Sequence, residues 1–98
     1  ESSSTLRVSG NNLVVQFDHM AKIVEPTIAE KTVRDELKAE CGKDRSEMDI
    51  KGLHVHNYNL NRLIDRFSPV IKKMSEKIVD IAESAKRARS AEMLKTGA

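Results

Sequence analysis

The stretch of sequence that decides the fold is residues 60–88, LNRLIDRFSPVIKKMSEKIVDIAESAKRA. Its apolar side chains recur in alternating steps of four and three residues, an average period of about 3.5. That period is typical of helices that wrap around a neighbouring helix. At 1.5 Å of rise per residue it predicts helix–helix contact over about 45 Å. We call these positions the heptad seam: Leu60, Ile64, Phe67, Ile71, Met74, Ile78, Ile81, Ala85 and Ala88.

The residues that flank the seam indicate what packs against it. With Leu60 at heptad position d, the flanking e and g positions carry few of the opposite charges with which a free-standing coiled coil selects its partner. Leu63 and Val70 occupy g positions and widen the apolar stripe, which predicts a third element packed there. Beyond Ile81 the seam consists of alanine, which buries little area. We therefore expect the firm packing between residues 60 and 81.

Size and composition fit one small domain. The chain has 98 residues, of which 3% are aromatic, so its core must come from Leu, Ile, Val and Met. Cys41 is the only cysteine, which excludes an internal disulfide and favours a reducing compartment such as the cytoplasm. No apolar run approaches the roughly 20 residues that span a bilayer, and no membrane association is expected.

The first residues of the chain predict a β-hairpin. Two short runs in which apolar and polar residues alternate, 6–9 and 13–17, are separated by Gly-Asn-Asn at 10–12. Gly and Asn tolerate the positive φ that a tight turn requires. We therefore expect a hairpin over residues 6–17, preceded by a disordered lead-in at residues 1–5.

The middle of the chain predicts one helix. Thr27 and Glu30 have the spacing of a capping box, in which each side chain accepts a hydrogen bond from the other residue's amide. Apolar residues then recur at steps of four as far as Cys41, and Gly42 follows as a helix stop. We expect this helix at residues 28–41.

The sequence after Cys41 predicts a connector and a long helix. Alternation of Leu53 and Val55 with two histidines suits a short third strand. The long helix contains Pro69 on its outer face, and we expect it to continue through the proline with a kink, despite a cost of about 3 kcal/mol. The predicted fold class is α+β and mostly helical. After the lead-in, residues 6–98 form a single small domain, with a hairpin at 6–17, a helical region at 18–41, a connector with a possible strand at 42–59 and a long heptad helix at 60–94.

Catalytic and metal-binding motifs are weak in this sequence. His54 and His56 would share one face of a strand, with Cys41 or His19 as a third ligand, but no motif with metal-ligand spacing supports this arrangement. No Gly-rich phosphate loop and no nucleophile–base motif is present. We expect no enzyme activity, no metal and no cofactor.

The charge distribution leaves more than one partner open. Residues 1–50 carry 7 basic and 10 acidic side chains, whereas residues 51–98 carry 10 basic and 5 acidic. We expect a protein–protein interaction or oligomerisation module, a coiled-coil homodimer or a complex with another helix, which works through the heptad seam. One alternative is a dimeric module that binds nucleic acid through its basic helix. Another is an assembly or secretion chaperone that receives a client helix. The basic residues for nucleic-acid contact are Lys72, Lys73, Lys77, Lys86, Arg87 and Arg89.

Overall fold

The computed structural model describes residues 2–96, with side chains for residues 5–94. It contains three α-helices, and the described residues include no strand. A single 3₁₀ turn lies in the connector between the second and third helices. In chain order the helices are α1 (Ser2–Met20), α2 (Ile28–Cys41) and α3 (Ile50–Thr96), and the 3₁₀ turn is Arg45–Glu47.

The prediction of an N-terminal hairpin, and with it the α+β class, is wrong. Residues 6–17 lie in the middle of α1, and residues 2–5, expected as a disordered lead-in, form its first turn. Gly10 is buried against α2, where an added Cβ would lie 2.7 Å from the Cys41 Sγ atom. The glycine therefore permits a close approach of two helices rather than a turn. Tertiary packing outweighs the low intrinsic helix propensity of Gly and Asn.

The predicted third strand and the predicted start of the long helix are also wrong. α3 begins ten residues earlier than expected, at Ile50, where the Gly52 amide donates to the Asp49 carboxylate at 2.7 Å. Leu53 is half-buried, and His56 and Leu60 are buried, so the seam's steps of three and four continue upstream. The polar His56 interrupts the apolar pattern, which is why the short alternation suggested a strand.

Two local predictions are confirmed. α2 has the predicted bounds and its capping box, because the Glu30 amide donates to Thr27 Oγ1 at 3.1 Å and the Thr27 amide donates to Glu30 Oε1 at 2.9 Å. α3 continues through Pro69, which is exposed to solvent. An outward-facing proline avoids a clash with the core, although it removes one backbone hydrogen bond.

The three helices pack as an up–down–up bundle. α1 runs antiparallel to α2, because Gly10 lies against Cys41 and Asp18 pairs with Arg34 at 2.8 Å. α2 runs antiparallel to α3, because Glu40 contacts His56 and Glu36 lies 3.7 Å from Arg66. α1 is therefore parallel to α3, and the rings of Phe17 and Phe67 lie 5.2 Å apart. The three helices share one core. Its buried apolar members are Val14, Phe17, Val33, Leu37, Cys41, Leu60, Leu63, Phe67 and Met74.

The third helix is much longer than the bundle it completes. At 47 residues α3 extends over about 70 Å, whereas the 19 residues of α1 extend over about 28 Å. The longest dimension of the molecule is 72 Å and the shortest is 17 Å. The C-terminal part of α3 therefore projects beyond the bundle. None of the helices in residues 2–96 is both long and apolar enough to cross a membrane.

Candidate interaction surface on α3

The heptad seam is buried or half-buried as far as Ile78 and exposed from Ile81 onward. Leu60, Phe67 and Met74 are at most 1% exposed and lie in the core. Burial then falls along the helix to Ile81, which is 50% exposed and marks the end of the bundle. The seam is covered by the chain's own helices only in its first part. The half-buried members are Ile64, Ile71 and Ile78, and the exposed members are Ile81, Ala85 and Ala88.

The face of α3 that packs against α1 and α2 is rotated about the helix axis from the centre of the seam. Leu63 is buried and Val70 packs against the core, which confirms the prediction that a third element packs at these g positions. The buried face of α3 thus lies between positions d and g. The isoleucines at position a stay at the edge of the bundle, where they form an apolar strip that leads into the projecting part of the helix.

We call Ile78, Ile81, Ala85 and Ala88 the exposed stripe. It continues the seam for about three turns after α1 and α2 have ended. Ala82 and Ser84 flank the middle of the stripe, where another helix can approach closely. Lys77 and Arg89 flank its two ends. The stripe is therefore an apolar helix face that no other described part of the chain covers.

A buried polar cluster joins α2 to α3 near the opposite end of the bundle. His56 is 2% exposed, and its Nδ1 lies 2.6 Å from Glu40 Oε2. The Lys43 ammonium contacts the other oxygen of Glu40 at 3.0 Å. Burial alone would raise the pKa of Glu40, but hydrogen bonds from His56 and Lys43 outweigh burial and hold that pKa below its ordinary value. The sequence offered no signal for this cluster, because its members come from separate helices.

The histidines do not form the paired site that a strand would have made. Two residues apart on a helix, they point about 200° apart, and His54 is exposed while His56 is buried. Among the residues whose side chains are described, no group of three or more His, Cys, Asp or Glu is suited to hold a metal ion. Burial also raises the pKa of the Cys41 thiol, which makes this cysteine a poor nucleophile.

The predicted nucleic-acid contacts lie on one helix but do not form one basic face. All six are exposed. Lys77 and Arg89 lie beside the stripe, and the other four lie on the side of α3 that faces away from it. Acidic side chains at Glu76, Asp80 and Glu83 lie among those four. The positive charge is therefore interleaved with negative charge. The basic residues in question are Lys72, Lys73, Lys77, Lys86, Arg87 and Arg89.

Comparison of the chain with protein-family models, with curated proteins and with solved structures gave no match in any of the three. Function is therefore inferred from the helices themselves. The exposed stripe is distinguished because its apolar residues continue a helix-packing seam beyond the bundle, whereas Ile23, Ile28 and Ile50 are exposed outside that seam.

Proposed function

We propose that this chain is a non-catalytic protein–protein interaction module that oligomerises through the heptad seam of α3. The observation that carries the proposal is the change in burial along one seam, from Met74 at 1% exposed to Ile81 at 50%. The same apolar periodicity continues where no helix of the chain covers it. A partner helix on the exposed stripe would complete the packing that α1 and α2 provide lower on α3.

The energetics favour a concentration-dependent association. Full burial of an isoleucine contributes about 1.5–3 kcal/mol, so the exposed half of Ile81 represents about 1 kcal/mol in each copy. Ile78 adds less because it is already half-buried, and each alanine adds little. An interface of a few such residues needs close packing along its whole length, which the small flanking residues permit.

A matched pair of variants tests the proposal. Ile81→Asp places a carboxylate on the stripe, whereas Val79→Asp places one on the other side of the same helix at nearly the same exposure, 51%. Neither residue belongs to the core, so the bundle should fold in both variants. We expect Ile81→Asp to weaken oligomerisation strongly, because an unpaired charge would be buried at the interface. Val79→Asp should have little effect.

Sedimentation equilibrium over a range of concentrations measures both variants beside the unmodified chain. Circular dichroism at low concentration checks that each is equally helical. If the two variants lower the oligomer mass to the same extent, or if neither does, the stripe is not the interface.

The two alternative functions stay predictions. Nucleic-acid binding would use a basic helix whose charges are interleaved with acidic side chains. Reception of a client helix would use the same stripe with a different partner. The structure holds no specific observation that favours either over oligomerisation.

A further inference from the structure

We infer that the partner on the exposed stripe is the same stripe of a second copy, running antiparallel, with Ile78 and Ile81 of each copy packed on Ala88 and Ala85 of the other. This inference rests on the proposed function and specifies its partner, orientation and register. Only α3 crosses the two-fold axis, and the two bundles lie at opposite ends of the pair.

The sizes of the four side chains carry the first part of the argument. The two large residues of the stripe come first and the two small ones follow. The stripe therefore matches in size a second copy of itself that runs in the opposite direction. An antiparallel pair places an isoleucine opposite an alanine in every layer, which fills each layer evenly. A parallel pair would place isoleucine on isoleucine and alanine on alanine, so two large layers would be followed by two small ones that are underfilled at the same helix separation.

Charge carries the second part of the argument. Glu92 occupies the next position a after Ala85, so a parallel pair would bring two Glu92 carboxylates together across the seam. The antiparallel register instead brings Glu92 level with Met74 of the second copy, so the two Glu92 residues lie about 27 Å apart along the axis. The like charges that a parallel pair would bring together are thus separated.

The surroundings of the stripe agree with this register. Ala82 and Ser84 lie on either side of the two-fold axis, where small side chains allow the helices to approach closely. A symmetric pair uses the same patch on both copies, as closed two-fold dimers do. Past Ala88, each helix reaches the level of the other copy's loop at residues 21–27, which limits the length of the paired segment.

Cross-linking of full-chain variants that each carry one added cysteine distinguishes the orientations. In the antiparallel register Ser84 lies beside its own counterpart, whereas the two copies of Ala88 lie about 15 Å apart along the axis. In a parallel pair the two Ala88 residues would face each other and the two Ser84 residues would lie on opposite sides. Ser84→Cys and Ala88→Cys are therefore a matched pair. The unmodified chain, with Cys41 buried, is the control.

We expect a short bismaleimide to cross-link Ser84→Cys into a dimer several-fold faster than Ala88→Cys. The reverse order would overturn the antiparallel register while leaving an oligomer built on the stripe intact. Equal or negligible rates in both variants would overturn the register as well. In that case the response of the oligomer mass to Ile81→Asp decides separately whether the proposed function stands.

Discussion

At the residue scale, Glu40 and His56 form a buried polar contact between two helices. It ties α2 to α3 at the end of the bundle away from the exposed stripe, and each side chain is almost fully withdrawn from water. A buried carboxylate is stable only when hydrogen bonds and nearby positive charge replace its hydration. The lowered pKa of Glu40 indicates that these contacts outweigh burial.

This pair predicts an acid-sensitive contribution to stability. Because the pKa of Glu40 is lower in the folded chain than its ordinary value of 4.5, the folded state binds this proton less tightly than the unfolded state. The stabilisation is fully present above that ordinary value and is lost as the pH falls through the lower folded value. We expect Glu40→Gln to lower the free energy of unfolding at pH 7 by about 1–3 kcal/mol and to flatten its decline in acid.

Urea unfolding of Glu40→Gln at several pH values below and above 4.5 measures both effects. Asp65→Asn, at an exposed position of α3, is the control and should leave the pH dependence nearly unchanged. A Glu40→Gln variant whose stability declines in acid as steeply as that of the unmodified chain would refute this role for Glu40.

At the element scale, α1 and α2 are held close by the absence of a side chain at Gly10. An added Cβ would lie 2.7 Å from Cys41 Sγ and 3.2 Å from Leu37 Cδ1. Alanine favours a helix over glycine by about 1 kcal/mol, so Gly10→Ala would stabilise an isolated helix. In the bundle we expect the opposite, a loss of about 1–3 kcal/mol from overpacking.

A double-mutant cycle checks the cause of that loss. Cys41→Ala removes the sulfur that the new methyl group would meet, so Gly10→Ala should cost clearly less in that background than in the unmodified chain. Thermal or urea unfolding of the four proteins measures the coupling. Equal costs in the two backgrounds would mean that this contact does not set the approach of α1 to α2.

At the same scale, some of the helices could be predicted from the sequence and others could not. The helix Ile28–Cys41 was predicted with its bounds because a capping box and a glycine stop are local signals. α1 was not predicted, because Gly10 followed by two asparagines is typical of a turn. Its packing role appears only when the position of α2 is known. The heptad seam was recognised from its period. Its division into covered and exposed parts depends on where α1 and α2 end, which the period does not encode.

At the scale of the whole molecule, a compact bundle carries a helix that projects beyond it. The core ends near Met74, and residues after Ile81 contribute no buried side chain among those described. The part of α3 that packs in the bundle is thus distinct from the part through which we propose that the chain associates. We expect a chain that stops after Ala82 to keep most of the helicity of residues 2–82 and to unfold at nearly the same temperature at low concentration. It should no longer oligomerise, because half of the exposed stripe is gone.

Circular dichroism and sedimentation of this shortened chain measure the two properties independently. A control that stops after Met93 retains the whole stripe and should oligomerise like the unmodified chain. If the chain ending at Ala82 oligomerises equally well, the interface lies on the bundle itself.

The most direct measurement is the mass of the unmodified chain in solution, by sedimentation equilibrium over a wide range of concentrations. Oligomerisation through the exposed stripe predicts a mass that rises with concentration toward twice the 11.0 kDa of the single chain. A mass of 11.0 kDa at every concentration would contradict it.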